Sequence, residues 1–116
     1  MRNDTENIIV NKSFQFALDI VEFCELLEGN KKFIVAKQLL RAGTAIGASI
    51  REAQNAESKA DFIHKLKIAA KEADEVEYWL MICKCSKNYP FTDSLLESIK
   101  EIIKILSKII STSKNS

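Results

Sequence analysis

Residues 41–80, RAGTAIGASIREAQNAESKADFIHKLKIAAKEADEVEYWL, decide the fold. Two long helical patterns meet there at a polar joint, residues 55–58. On the near side Val35, Leu39, Ala42, Ile46, Ser49 and Ala53 recur at alternating steps of four and three residues, the spacing of a coiled-coil seam. Ala36, Leu40, Gly43, Gly47 and Ile50 form the strip beside it. A glycine costs a helix about 1 kcal/mol relative to alanine. The flanks of Gly43 and Gly47 carry no turn chemistry, so one unbroken helix over 32–54 is expected. Gly43-x-x-x-Gly47 bares backbone along one face, which predicts a close crossing by another helix.

On the far side Phe62, Leu66, Ala69, Ala73, Val76, Leu80 and Cys83 mark a helix over 59–86 whose middle layers are alanine. These layers are expected to pair with the small middle of the preceding helix, leaving no room for a reaction chamber. Ser58 is a good N-cap. Asp61, three residues on, makes an imperfect capping box and suits the positive end of the helix.

Two further helices lie outside this pair. Phe16, Ile20, Phe23 and Leu27 form one stripe, and Phe14, Ala17, Val21 and Cys24 a second. Together they make an apolar arc wider than a two-helix seam requires. They predict a helix over 12–28, stopped by Gly29-Asn30, with residues 1–7 as a frayed polar end and residues 8–10 as a short lead-in. Asn88-Tyr89-Pro90-Phe91 reads as a turn, after which Thr92 can cap a helix over 93–110. That helix has a broad arc of Leu95, Leu96, Ile99, Ile102, Ile103, Leu106, Ile109 and Ile110, and residues 111–116 read as a loose polar end. Four amphipathic helices with short connections predict an all-α fold, an antiparallel up-down-up-down four-helix bundle, in one domain over 1–116.

Composition narrows the function classes. The 116 residues suffice for one modest core, and 3 glycines with 1 proline favour long helices. The net charge of +1 is small for a chain that grips duplex nucleic acid mainly through phosphates, although a basic face can hide within a balanced total. No apolar run approaches the roughly 20 residues that cross a bilayer, and the first residues lack a signal-peptide core. No membrane partner is therefore expected. Cys24, Cys83 and Cys85 cannot all pair within one chain, so a cytoplasmic protein with reduced thiols is the default.

The stretch 41–80 resembles the four-helix-bundle proteins encoded within 23S rRNA intervening sequences. The matching residues are Gln38, Arg41-Ala42, Gly47-Ala48, Ile50, Glu52, Ser58-Lys59, Phe62, Leu66, Ala69 and Glu75. Ser49 stands where the family usually has asparagine, and Ala53 where many relatives have glycine. The resemblance implies an antiparallel bundle, often assembled as a pentameric ring, with no enzymatic activity established for the family. The chain also resembles the accessory protein of diversity-generating retroelements, which implies a basic barrel that binds nucleic acid.

Candidate sites follow from both lines. Arg51, Lys59, Lys65, Lys67 and Lys71 are candidate nucleic-acid contacts after assembly, with Arg41 near them. Lys67 and Lys71 are neighbours on one helix face. The plainer reading is a solvated surface balanced by Glu52, Glu57, Glu72, Asp74 and Glu75. Lys100, Lys104 and Lys108, with Glu97 and Glu101 beside them, read as a solubility row. Arg41, Glu52 and Glu75 are candidates for structural or inter-subunit pairing. Glu75 is placed to receive Arg41 across the antiparallel pair, as a buried bidentate bridge. Tyr78 and Trp79 fall outside the seam and are candidate interface aromatics.

Other chemistry finds little support. Asp61-x-x-His64 is half of a carboxylate metal site without its second half, so no metal and no cofactor is expected. Cys83-x-Cys85 has neither redox nor zinc spacing, and no base activates a thiol. The sequence thus predicts a non-enzymatic homo-oligomeric interaction module, with RNA or DNA as candidate partner. A pentamer is the first stoichiometry and a dimer the second. A purely structural scaffold is the runner-up. A small enzyme is the third reading, which a deep polar cavity holding Glu52, Glu75 or His64 would favour.

Overall fold

Each periodic segment forms one unbroken helix. The computed structural model describes residues 4–116, with side chains from residue 8 onward. The helices are α1 (Asp4–Gly29), α2 (Phe33–Ala53), α3 (Lys59–Cys85) and α4 (Asp93–Lys114). Consecutive helices pack side by side, and α1 also packs on α4, which closes a four-cornered up-down-up-down bundle 47 Å long and about 20 Å across. Among the described residues the diagonal pairs, α1 with α3 and α2 with α4, make no backbone contact.

The core runs the length of the bundle. Ile9, Ile20, Leu27, Leu39, Ile46, Ile50, Leu66, Leu80, Ile99 and Leu106 are fully buried. So are Ala42, Ala69 and Ala73, which keep the middle layers narrow. The glycine pair of α2 does not face α3. It seats α1. A Cβ on Gly43 would stand 2.8 Å from Ile20 Cγ2 and 3.2 Å from Ile20 Cβ, so only glycine admits Ile20 at that depth. A Cβ on Gly47 would meet the Ser13 carbonyl oxygen at 3.4 Å, an ordinary contact. Ser13 itself is buried, and its hydroxyl donates to the Val10 carbonyl at 3.1 Å, which satisfies it inside its own helix.

The helix ends differ from those expected. α1 begins at Asp4 rather than near residue 12, so residues 4–11 are helical instead of a frayed end and a lead-in. Burial of Ile9 and partial burial of Val10 hold these extra turns to the core. Residues 1–3 lie outside the described range. α4 likewise continues through Lys114, where a loose end from residue 111 was expected. Between α1 and α2 the left-handed position is Lys31, with φ 64°, rather than Gly29. The Lys32 N–H donates to the Leu27 carbonyl at 2.8 Å and the Lys31 N–H to the Glu28 carbonyl at 2.9 Å, a Schellman closure. At α3 the Ser58 hydroxyl accepts from the Asp61 N–H at 3.0 Å, and the Asp61 carboxylate accepts from the Glu57 N–H at 3.3 Å. The Asp61 carboxylate thus serves the residue before the N-cap, where the glutamate of a capping box serves the N-cap itself.

The two glycines predict opposite outcomes. Gly43→Ala gains about 1 kcal/mol of helix propensity but overpacks Ile20 at a cost of about 1–3 kcal/mol, so stability falls. Gly47→Ala has space for its methyl and gains up to about 1 kcal/mol. Urea unfolding of the two variants beside the parent chain measures the difference.

Candidate functional site

Arg41 projects from α2 towards α3 and bridges two carboxylates there. Its Nη1 lies 3.3 Å from Glu72 Oε1, and its Nη2 donates to Glu75 Oε2. Trp79, one turn beyond Glu75, donates its indole N–H to the same Glu75 oxygen at 3.2 Å. Tyr78 meets Trp79 edge-on, with ring centroids 5.5 Å apart. The expected geometry was a buried bidentate bridge. The structure instead has a half-exposed guanidinium shared between Glu72 and Glu75. Two charge-assisted donors on one carboxylate favour its ionised form. Glu75 is accordingly held below its ordinary carboxylate range, chiefly by the hydrogen bond from Arg41, against a smaller opposing effect of burial. The same bond holds the Arg41 guanidinium above its ordinary range.

The five candidate phosphate contacts do not form one patch. Arg51 lines the rim of a hollow of about 310 Å³ between α1 and α2, together with Val10, Ser13, Phe14, Ala17 and Gly47. Lys65 pairs with Glu52 at 3.5 Å across α2 and α3, which brings together residues assigned to separate roles. Lys59 donates to the Ser116 carbonyl. Lys67 and Lys71 remain on the open side of α3. There Lys114 of α4 comes against Lys67 and pushes that ammonium below the ordinary lysine range. Sequence spacing could not reveal this neighbour, because it requires the α3–α4 register.

The remaining chemistry-bearing residues are dispersed. His64 is exposed, Asp61 is engaged at the α3 cap, and among the described residues no three of His, Cys, Asp and Glu converge to hold a metal ion. Cys24 and Cys83 are buried and Cys85 is exposed. Burial, with smaller contributions from Glu28 and Cys83, pushes the Cys24 thiol up to about 12, and burial pushes Cys83 up to about 11.

Large apolar side chains reach the surface on two adjacent faces. On the α1/α2 face Phe14 (55% exposed), Leu18 (48%), Val21 and Leu40 (both 40%) stand together. Thr44 between them loses no apolar character to an open hydroxyl, since its Oγ1 donates to the Leu40 carbonyl at 2.7 Å. On the α2/α3 face Ile34 (79% exposed) and Tyr78 (61%) are the most exposed large apolar residues described. The pairings Arg41–Glu75 and Glu52–Lys65 fix the antiparallel register and carry Ile34 to the level of Ile82 and Cys83, about one turn beyond Tyr78.

Two outcomes follow from these environments. Glu75 has a lowered folded pKa, so its contribution to stability is complete above the ordinary carboxylate range and is lost as pH falls through the lowered value. Emission from Trp79, the single tryptophan, should report that protonation. Glu75→Gln should abolish the acid transition in emission and flatten the acid side of the stability profile. Separately, iodoacetamide should alkylate Cys85 rapidly in the native protein and spare Cys24 and Cys83 until denaturant is added. Intact and peptide mass spectrometry would assign the sites.

Comparison with known proteins adds the family. Residues 5–111 match the family model for 23S rRNA-intervening sequence proteins. A crystal structure of a protein of unknown function from the S23 ribosomal protein family of Bacteroides thetaiotaomicron VPI-5482 is similar throughout. It shares 44% identity at a TM-score of 0.87, covering 92% of this chain and 98% of that one. No curated protein matches the chain. The match over residues 5–111 and the 44% identity to that crystal structure place this chain in the 23S rRNA-intervening sequence protein family, as a four-helix bundle.

Proposed function

We propose that this chain is a non-catalytic, self-assembling interaction module of the cytoplasm, in which the α1/α2 face of one copy seats on the α2/α3 face of the next. The observation that carries this reading is the pair of exposed apolar faces flanking α2. Contiguous apolar surface of this kind, rimmed by charge, is typical of protein interfaces. Two different faces make a heterologous contact, which closes into a ring when the rotation fits. Neighbouring sides of a four-cornered bundle have outward normals roughly 90° apart, and a closed ring needs about 90° for four copies or about 108° for five. The 90° figure itself closes roughly four copies, and a modest opening of it closes about five. The pentamer that the family resemblance implies is the first stoichiometry, and an isologous dimer through the α1/α2 face is the alternative. Arg41, Glu75, Tyr78 and Trp79 would line the contact.

We propose RNA or DNA as the module's partner. Lys67 and Lys71, joined by Lys114, support this contact, because three ammonium groups on one side of the bundle raise the local potential despite the balanced total charge. Lys59, Lys65 and Arg51 have other neighbours and would contribute less. A structural scaffold without nucleic acid is the competing reading.

Light scattering coupled to size exclusion tests assembly. The expected mass is a closed multiple near five, and Leu18→Glu should reduce it to one copy with helicity unchanged. A parent chain that stays monomeric at high micromolar concentration overturns the ring. Binding of a generic RNA duplex that weakens steeply with salt, and further in Lys67→Glu/Lys71→Glu, separates the module from the scaffold.

A further inference from the structure

Between α1 and α4 runs a groove of about 590 Å³. Phe23, Leu26 and Leu95 make it apolar, Asp19 and Glu22 stand on its α1 side, and Thr92, Ser94 and Ser98 on its α4 side. Phe23 and Leu95 are buried, whereas Leu26 is half-exposed at the lip. The groove continues into a smaller hollow of about 120 Å³, where Lys12 and Glu101 pair across the two helices at 2.7 Å. That bridge occupies the cation of this surface. Among the described residues, Glu22 has no ion pair or hydrogen bond, and Asp19 accepts only from the Gln15 amide at 3.0 Å. The hydroxyls of Thr92 and Ser94 lie 3.0 Å apart and satisfy each other. What remains unmatched is an apolar trough with two carboxylates along one wall.

We propose that this groove is the docking slot for a cationic amphipathic helix of a partner protein. Helix-in-groove recognition lays apolar anchors at i, i+3, i+4 and i+7 into such a trough. The span from Asp19 to Leu26 is seven residues, about 10 Å along α1, which matches two turns of an incoming helix. Apolar anchors cover Leu26 and sit over the buried floor of Phe23 and Leu95, and lysine or arginine on the flank meets Asp19 and Glu22. The charge pattern rejects an acidic helix of the same shape. The groove lies on neither face assigned to self-assembly, so the proposal holds for a monomer and for a ring.

The test uses the full chain and a fluorescein-labelled helical peptide of about sixteen residues, with leucines at the anchor spacing and lysines elsewhere. Its twin carries glutamates in place of the lysines. Anisotropy at moderate salt should show saturable binding of the lysine peptide and at least about tenfold weaker binding of the twin. Asp19→Asn/Glu22→Gln and, separately, Leu26→Ser should each weaken binding about fivefold or more. Glu57→Gln/Asp74→Asn changes net charge equally at a distance and should leave binding intact. No binding, or equal loss in the distant double variant, overturns the proposal. Insensitivity to Leu26→Ser with full competition by spermine would reduce the groove to a charge-only site and also overturn it. A change in assembly mass caused by the groove variants, without loss of peptide binding, would assign the groove to a second copy instead.

Discussion

The contact on which the bundle's shape depends is Ile20 of α1 against the bare backbone of Gly43 in α2. The Ile20 branch occupies space that a Cβ at position 43 would need. Close approach at this point and at Gly47 fixes both the depth and the rotation of α1. With Ile20 inward, Phe16, Phe23 and Leu27 follow into the core by helical spacing. Phe14 is two positions from Phe16, about 200° around the helix, and is carried outward with Leu18 and Val21. The apolar surface of the α1/α2 face is thus a consequence of how α1 is seated.

The seam of the bundle was legible because α2 and α3 alternate four- and three-residue steps over their whole lengths, and that pattern has one burial solution. The antiparallel register followed from it, which is why Glu75 could be placed opposite Arg41. Glu72 as a second acceptor and the Trp79 N–H as a second donor needed side-chain positions that no spacing rule supplies. The helix ends were harder for a different reason. Residues 4–11 and 111–114 are largely polar; Ile9, buried among neighbouring helices, holds the first stretch, whereas the second simply continues α4 and stays mostly exposed. Local propensity cannot report such tertiary support. Lys31 makes the same point, since it holds the left-handed position two residues beyond a glycine that could have taken it.

The balanced total charge conceals an uneven surface. Arg41 offsets one of the two negative charges of Glu72 and Glu75 at the α2/α3 boundary, and Lys65 with Glu52 forms a neutral pair further along that line. Such half-exposed pairs add little stability, but they set register and leave only a single negative charge uncompensated along that line. The unmatched charges fall elsewhere. Lys67 and Lys114 meet between α3 and α4, with Lys71 one turn on from Lys67, and Asp19 and Glu22 line the groove between α1 and α4. A reading from composition averages these to nearly zero, whereas a partner meets only one side at a time.

α2 connects these observations. Its small residues admit α1 closely on one side, and it packs on the alanine-bearing α3 on the other. A helix so narrow cannot screen the larger side chains of its neighbours, so Phe14, Leu18 and Val21 emerge beside it on one face and Tyr78 on the next, together with its own Leu40 and Ile34. Apolar surface left in water forgoes about 25 cal/mol for each Å² that burial would release. The internal core is complete without these side chains, since the fully buried positions already run from Ile9 to Leu106. The faces beside α2 are therefore the apolar surface that the proposed assembly would cover.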